Sequence, residues 1–105
     1  MAMSLDLLGK KDPKVLQALY RYKNEILKEG ELTIREKELI ATAVASTLRC
    51  EKCLEFHAEA ALEHGATNRQ IMEAIEVAMY LTGPSAMIWS DRIDDYIDDH
   101  REEEQ

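Results

Sequence analysis

Residues 33–65 read TIREKELIATAVASTLRCEKCLEFHAEAALEHG, and this stretch decides the fold. Thr33-Ile34-Arg35-Glu36 has the form of a capping box. In it the Thr33 hydroxyl and the Glu36 carboxylate each take up a backbone N–H that a first helical turn leaves unpaired. A helix over Ile34 to about Leu48 follows. It is apolar nearly all round through Ile34, Leu39, Ile40, Ala41, Ala43, Val44, Ala45 and Leu48, the pattern of a buried helix. The next helix runs from about Cys50 to His64. Ala58, Ala60, Ala61 and Leu62 form its packing surface, and Glu51, Glu55, Glu59 and Glu63 form a solvated row at spacing four. Gly65 terminates it, and His64 in its last turn suits the negative end of the helix dipole.

The same punctuation extends outward. Asp12-Pro13 starts an earlier helix, with Asp as cap and Pro at the first helical position. Val15, Leu16, Leu19, Tyr20, Ile26 and Leu27 recur along it at helical spacing. Gly30 is expected to close it in the left-handed conformation. Residues 1–11 read as a weakly patterned lead-in. Downstream, Thr67-Asn68-Arg69-Gln70 is a second capping box, opening a helix with Ile71, Met72, Ile75, Ala78, Met79 and Leu81. Gly83-Pro84 breaks that helix. Ser85 to about His100 reads as a last helix with Met87, Ile88, Trp89, Ile93, Tyr96 and Ile97, and Arg101 to Gln105 as a frayed end. No segment alternates in the way a strand does. The expectation is therefore a single all-α domain over residues 1–105, with about five helices. A chain of 105 residues buries only about 60–65% of its unfolded surface, so association with further copies would help its stability.

Charge narrows the partners. The net charge is −8, distributed as +2 over residues 1–30, −4 over 31–90 and −6 over 91–105. Nucleic acid and anionic membranes need clustered Lys and Arg, so neither is expected. The longest apolar run, Leu39 to Ala45, is seven residues with Thr42 inside it, against about 20 for a membrane span. Met1 to Lys11 lacks the apolar core of a secretory signal. A cytoplasmic location is expected, and in that reducing compartment a cysteine pair at this gap points to catalysis or metal binding rather than a structural staple.

Both cysteines lie in Cys50-Glu51-Lys52-Cys53, with His57 one turn further on. In a helix over residues 50–64, Cys50, Cys53 and His57 share one face. Helical neighbours at i and i+3 have Cβ atoms about 5–6 Å apart, so the two sulfurs can bridge with little backbone movement. So small a loop adds little stability, which suits a reversible bond. Cys50 near a helix N-terminus and Cys53 one turn before His57 each have a means of forming thiolate. Glu38 shares a stripe with the small residues Ala41 and Ala45. If the two helices fold back around residue 49, residue 41 lies opposite 57 and Glu38 is offset by about 4.5 Å along the axis. Glu38 can then orient or recharge His57. Other readings of the same residues stay open. Two buried core cysteines are one. A zinc site is another, lacking ligands because His64 and His100 are the only other histidines. A c-type haem is excluded, since Leu54 follows the second cysteine. Met72, Met79, Met87 and Trp89 read as core or contact residues rather than ligands, and neither a cofactor nor a metal is expected.

Glu38, eleven residues, Cys50-x-x-Cys53, three residues and His57 resemble the active-site signature of alkylhydroperoxidase D-like proteins, within the carboxymuconolactone decarboxylase superfamily. The resemblance covers roughly residues 30–90. It implies a helical bundle assembled as a homo-oligomer, a trimer or hexamer. It also implies a thiol-dependent peroxidase or disulfide reductase in which Glu38, Cys50, Cys53 and His57 form a proton relay around a dithiol/disulfide cycle. The partners so implied are a hydroperoxide and an external dithiol or redox protein. One position departs from the pattern: where some peroxidase members carry a histidine, Lys52 stands here. Its charge can lower a thiolate's pKa, but it shuttles protons less well near neutral pH. The alternatives are a carboxymuconolactone decarboxylase-like lyase, with Glu38 and His57 moving protons and the thiols as spectators, and a non-catalytic helical oligomer.

Overall fold

The computed structural model describes residues 5–84, 90 and 93–104. Every regular element among them is a helix: α1 Asp6–Lys11, α2 Pro13–Leu27, α3 Ile34–Leu48, α4 Glu51–Glu63, α5 Asn68–Thr82 and α6 Ile93–Glu104. None is long and apolar enough to cross a membrane.

The expected starts are where local chemistry put them. Asp12 accepts from the Val15 N–H, and Pro13 occupies the first turn of α2. Both capping boxes form. Thr33 and Glu36 exchange bonds of 3.1 and 2.9 Å at the head of α3, and Thr67 and Gln70 do the same at the head of α5. Gly65 adopts φ 94°, and the Ala66 N–H returns to the Ala61 carbonyl to close α4. Four details depart from expectation. Residues 6–11, expected as a lead-in, form α1, with Asp6 in its first turn and Lys10 and Lys11 in its last, an arrangement that matches the helix dipole. Helix α2 ends at Leu27 rather than at Gly30, with Lys28 extended at its C-cap. The reason is Lys37 of α3, whose ammonium donates to the carbonyls of Ile26 and Lys28, at 2.7 Å each. A lysine thus does what a left-handed glycine was expected to do. Helix α6 continues to Glu104, through residues expected to fray, where Arg and Glu are good helix formers. The expected contribution of Met87, Ile88 and Trp89 to the last helix lies outside the described residues.

The fourth departure is in packing. Helix α3 lies against α4 and α5, with α2 touching it lightly and α1 packed on α2. Its buried positions are Glu38, Thr42 and Ala45 only. Ile40 is 53% exposed and Val44 50%, although the sequence pattern suggested burial on all sides. Among the described residues α3 has helical neighbours on one side, and its other side meets no helix. Among the described residues Ala45, Ala61, Ala66 and Ala78 are the buried apolar ones, and Thr42 is fully buried. Its hydroxyl donates to the Glu38 carbonyl at 2.7 Å, so the polar atom is satisfied within its own helix. Small residues where α3, α4 and α5 meet allow close approach of their backbones, and this close contact positions the site.

Candidate active site

The site is built on the reversal between α3 and α4. A single residue, Arg49, turns the chain in the left-handed region at φ 56°, ψ 32°, which costs about 1–2 kcal/mol for a residue with a Cβ. Cys50 follows in extended conformation as the N-cap of α4 rather than as its first residue. This corrects the expectation of a helix including Cys50. Its Sγ accepts the Cys53 N–H at 3.2 Å, one of the N–H groups a helix start leaves unpaired. Cys50 and Cys53 are joined as a disulfide, with Cα atoms 5.2 Å apart. Cys50 Sγ thus lies at the N-terminus of α4, where the helix dipole favours negative charge.

One turn along α4, His57 meets α3. Its Nδ1 lies 3.1 Å from Glu38 Oε2, at the level where the antiparallel register placed it. The side chains are 16% and 4% exposed respectively. A neutral imidazole donating from Nδ1 has Nε2 left as its acceptor, so the carboxylate sets both the tautomer and the ring's direction. A carboxylate–imidazole pair so shielded from water is suited to proton transfer. Cys53 and His57 are i and i+4 on α4, hence neighbours on one helix face.

The remaining histidines stand apart from this cluster. His64 Nδ1 donates to the Ala60 carbonyl and His100 Nδ1 to that of Tyr96, each at 2.9 Å. Among the described residues no three His, Cys, Asp or Glu side chains converge in a way that could hold a metal ion.

A cavity of about 580 Å³ opens beside His57. Leu19, Tyr20 and Ile26 of α2, Ala41 of α3 and Phe56 of α4 line it, with Lys23 also part of the wall. The Lys23 ammonium sits 4.4 Å from the centre of the Phe56 ring, a cation–π contact that ties α2 to α4. Neither cysteine lines this cavity. Sequence reasoning passed over Lys23 and Phe56. The available signal was the spacing of Leu19, Tyr20, Lys23 and Ile26, which puts them on one side of α2, and an aromatic residue directly before His57.

Residues 13–93 match the profile of the carboxymuconolactone decarboxylase family. Among solved structures, the chain resembles a protein from Methanobacterium thermoautotrophicum with a TM-score of 0.73 and 37% identity, over 80% of this chain and 94% of that one. It is 46% identical to uncharacterized protein 4 in cox locus of Paracoccus denitrificans, over 58% of this chain and 55% of that protein. A shorter stretch, 39% of this chain, is 49% identical to alkyl hydroperoxide reductase AhpD of Corynebacterium aurimucosum, covering 23% of that protein. The chain thus aligns with about half of one of these relatives and a quarter of the other.

Proposed function

The chain belongs to the carboxymuconolactone decarboxylase family, and from that premise we propose that it is a thiol-dependent peroxidase or disulfide oxidoreductase cycling between a Cys50–Cys53 dithiol and disulfide. The observation that carries the reading is the disulfide at the head of α4, one turn from a histidine held by a buried carboxylate. The partial likeness to an alkyl hydroperoxide reductase supports it.

The cycle balances as follows. One cysteine thiolate attacks the distal oxygen of a hydroperoxide, and the O–O bond breaks. The sulfur becomes a sulfenic acid, and the alkoxide leaves as an alcohol, taking a proton relayed through His57 and Glu38. The second thiol condenses with the sulfenic acid, forming the disulfide and releasing water. An external dithiol then exchanges with the disulfide, becoming oxidised as Cys50 and Cys53 regain their protons. In the reductase form of the reading, a partner's disulfide replaces the peroxide. Glu38, Cys50, Cys53 and His57 are the residues assigned to this chemistry.

A second reading is favoured by the cavity, which reaches His57 without reaching either sulfur. In it Glu38 and His57 move protons on a small carbon acid or lactone, and the thiols take no part. One experiment separates the two. Turnover of an organic hydroperoxide with a dithiol is measured for the wild type, Cys50→Ser and Cys53→Ser. Loss of turnover in both variants supports the redox cycle. Turnover of a lactone by the wild type, unchanged in both variants, supports proton transfer.

A further inference from the structure

The cavity beside His57 carries a fixed positive charge on a wall that is otherwise mostly apolar. Leu19, Lys23 and Ile26 are i, i+4 and i+7 on α2, so one stripe of that helix faces it. Lys37 of α3 fixes the end of this wall by donating to the carbonyls of Ile26 and Lys28. Ala41 of α3 and Phe56 and His57 of α4 complete the lining used here. The volume of about 580 Å³ falls within the range of about 300–1,000 Å³ usual for sites that enclose a small molecule. The chain has 21 Asp and Glu against 13 Lys and Arg, yet among the described residues no carboxylate lines this cavity and Lys23 does. No ion pair among the described residues involves Lys23. Its ammonium rests 4.4 Å from the centre of the Phe56 ring, a contact that places the cation without using up its three N–H donors. The Phe56 and His57 ring centres are in turn 5.2 Å apart.

We propose that this cavity binds an amphipathic monoanion, a molecule with one carboxylate on an apolar chain, and that Lys23 is the residue that selects it. The carboxylate accepts from Lys23 Nζ, and the chain lies on Leu19, Ile26, Ala41 and Phe56. Each part of the wall rejects a different competitor. A neutral molecule of the same shape leaves the ammonium without an acceptor, so it loses a charge-assisted hydrogen bond. A cationic one meets Lys23 as a like charge beside apolar walls, where repulsion is little screened. A dianion gains the same bond but must place its second charge among Leu19, Ile26 and Phe56, with no partner there. The order of Lys23, Phe56 and His57 matters as well. With the Phe56 ring in contact range of both, a molecule held at Lys23 also reaches the imidazole. The bound monoanion is therefore what either reaction read from the site would act on, while its binding requires neither reaction.

The test is isothermal titration calorimetry on the full chain with Cys50 and Cys53 joined, so that no thiol chemistry enters and a failed redox cycle leaves the result standing. The probes are hexanoate, octanoate and decanoate, with 1-octanol, octylammonium and octanedioate as competitors of matched length. Affinity is expected to rise about three- to fourfold for each methylene from hexanoate to decanoate. Octanoate is expected to bind at least about tenfold more tightly than the three matched competitors. Lys23→Met keeps an apolar stem and removes the charge. It is expected to weaken octanoate by about 10- to 100-fold and to leave 1-octanol unchanged, while Lys23→Arg retains octanoate. Were Lys23 only a tie between α2 and α4, Lys23→Met would weaken octanoate and 1-octanol alike, and that result overturns the proposal. So does equal affinity for octanoate and octylammonium, or no binding of decanoate at millimolar concentration by the wild type.

Discussion

His57 Nδ1 and Glu38 Oε2 lie 3.1 Å apart, across 19 positions of sequence. The bond joins α3 to α4 on the inner side of their reversal, and it decides which way the imidazole faces. Glu38→Gln keeps the size of the side chain and removes its charge. If Glu38 orients His57, peroxide turnover falls by about 10- to 100-fold in this variant. General acid–base groups typically contribute about 10²–10⁴ in rate, so His57→Asn is expected to lose more than Glu38→Gln. Steady-state kinetics across pH check both. A Glu38→Gln profile that coincides with the wild type contradicts the assignment.

Glu38→Ala is expected to act on stability as well. It leaves the His57 Nδ1 donor without its acceptor in a site that is 16% exposed on the histidine side. A stranded polar group of this kind costs about 1–3 kcal/mol. Urea denaturation at fixed protein concentration measures the change. A midpoint unchanged from wild type shows that water replaces the carboxylate without cost.

The capping boxes give a prediction independent of chemistry. Thr67→Ala removes the oxygen that accepts the Gln70 N–H at 3.1 Å. The expected loss is about 1 kcal/mol, which for a domain of this size lowers Tm by about 4–8 °C. Thr67→Ser, which keeps the hydroxyl, is expected to restore most of it.

Two turn residues carry opposite signs. Arg49 holds a left-handed conformation without being glycine, whereas Gly65 holds φ 94° with no steric conflict. Arg49→Gly therefore relieves strain and is expected to be neutral or stabilising by up to about 1 kcal/mol. Gly65→Ala introduces strain and is expected to destabilise by about 1 kcal/mol or more. A Cβ at Gly65 meets Arg35 Nη1 at 3.6 Å, an ordinary contact, so the cost is conformational rather than a clash. Thermal melts of both variants test the pair.

Acid stability has a local handle in Glu36. The Thr33 backbone N–H, and then the Thr33 hydroxyl, hold its carboxyl below the ordinary 4.5. A carboxyl that is more acidic in the folded state adds stability that is present above its unfolded pKa and lost as pH falls through the folded value. Glu36→Gln is therefore expected to flatten the fall in stability below pH 4.5 and to leave its slope at neutral pH unchanged. Denaturation series at several pH values check the sign.

Much of this was legible in the residues because it is local. Thr33 with Glu36, Thr67 with Gln70, and Asp12 with Pro13 act within one turn, so spacing alone reveals them. The meeting of Glu38 with His57 was also readable, because a tight antiparallel reversal leaves the register almost no freedom. What could not be read depends on contacts distant in sequence or on absent neighbours. Gly30 was expected to close α2, but Lys37, from the next helix, reaches its carbonyls first. Arg49 turns the chain without any glycine to announce it. Cys50 caps α4 through its sulfur, a role that spacing does not separate from a place in the first turn. Ile40 and Val44 looked like core residues, but among the described residues they are left about half exposed.

The proposed cycle requires Cys50 and Cys53 to work as a redox pair. The measurement that tests it most directly is the intact mass of fully reduced protein after treatment with one equivalent of an organic hydroperoxide, followed by peptide mapping. The expected result is a loss of two hydrogens per chain, located to a Cys50–Cys53 bridge, with consumption of the peroxide and recovery of the original mass on adding a dithiol. An unchanged mass with the peroxide intact would contradict it.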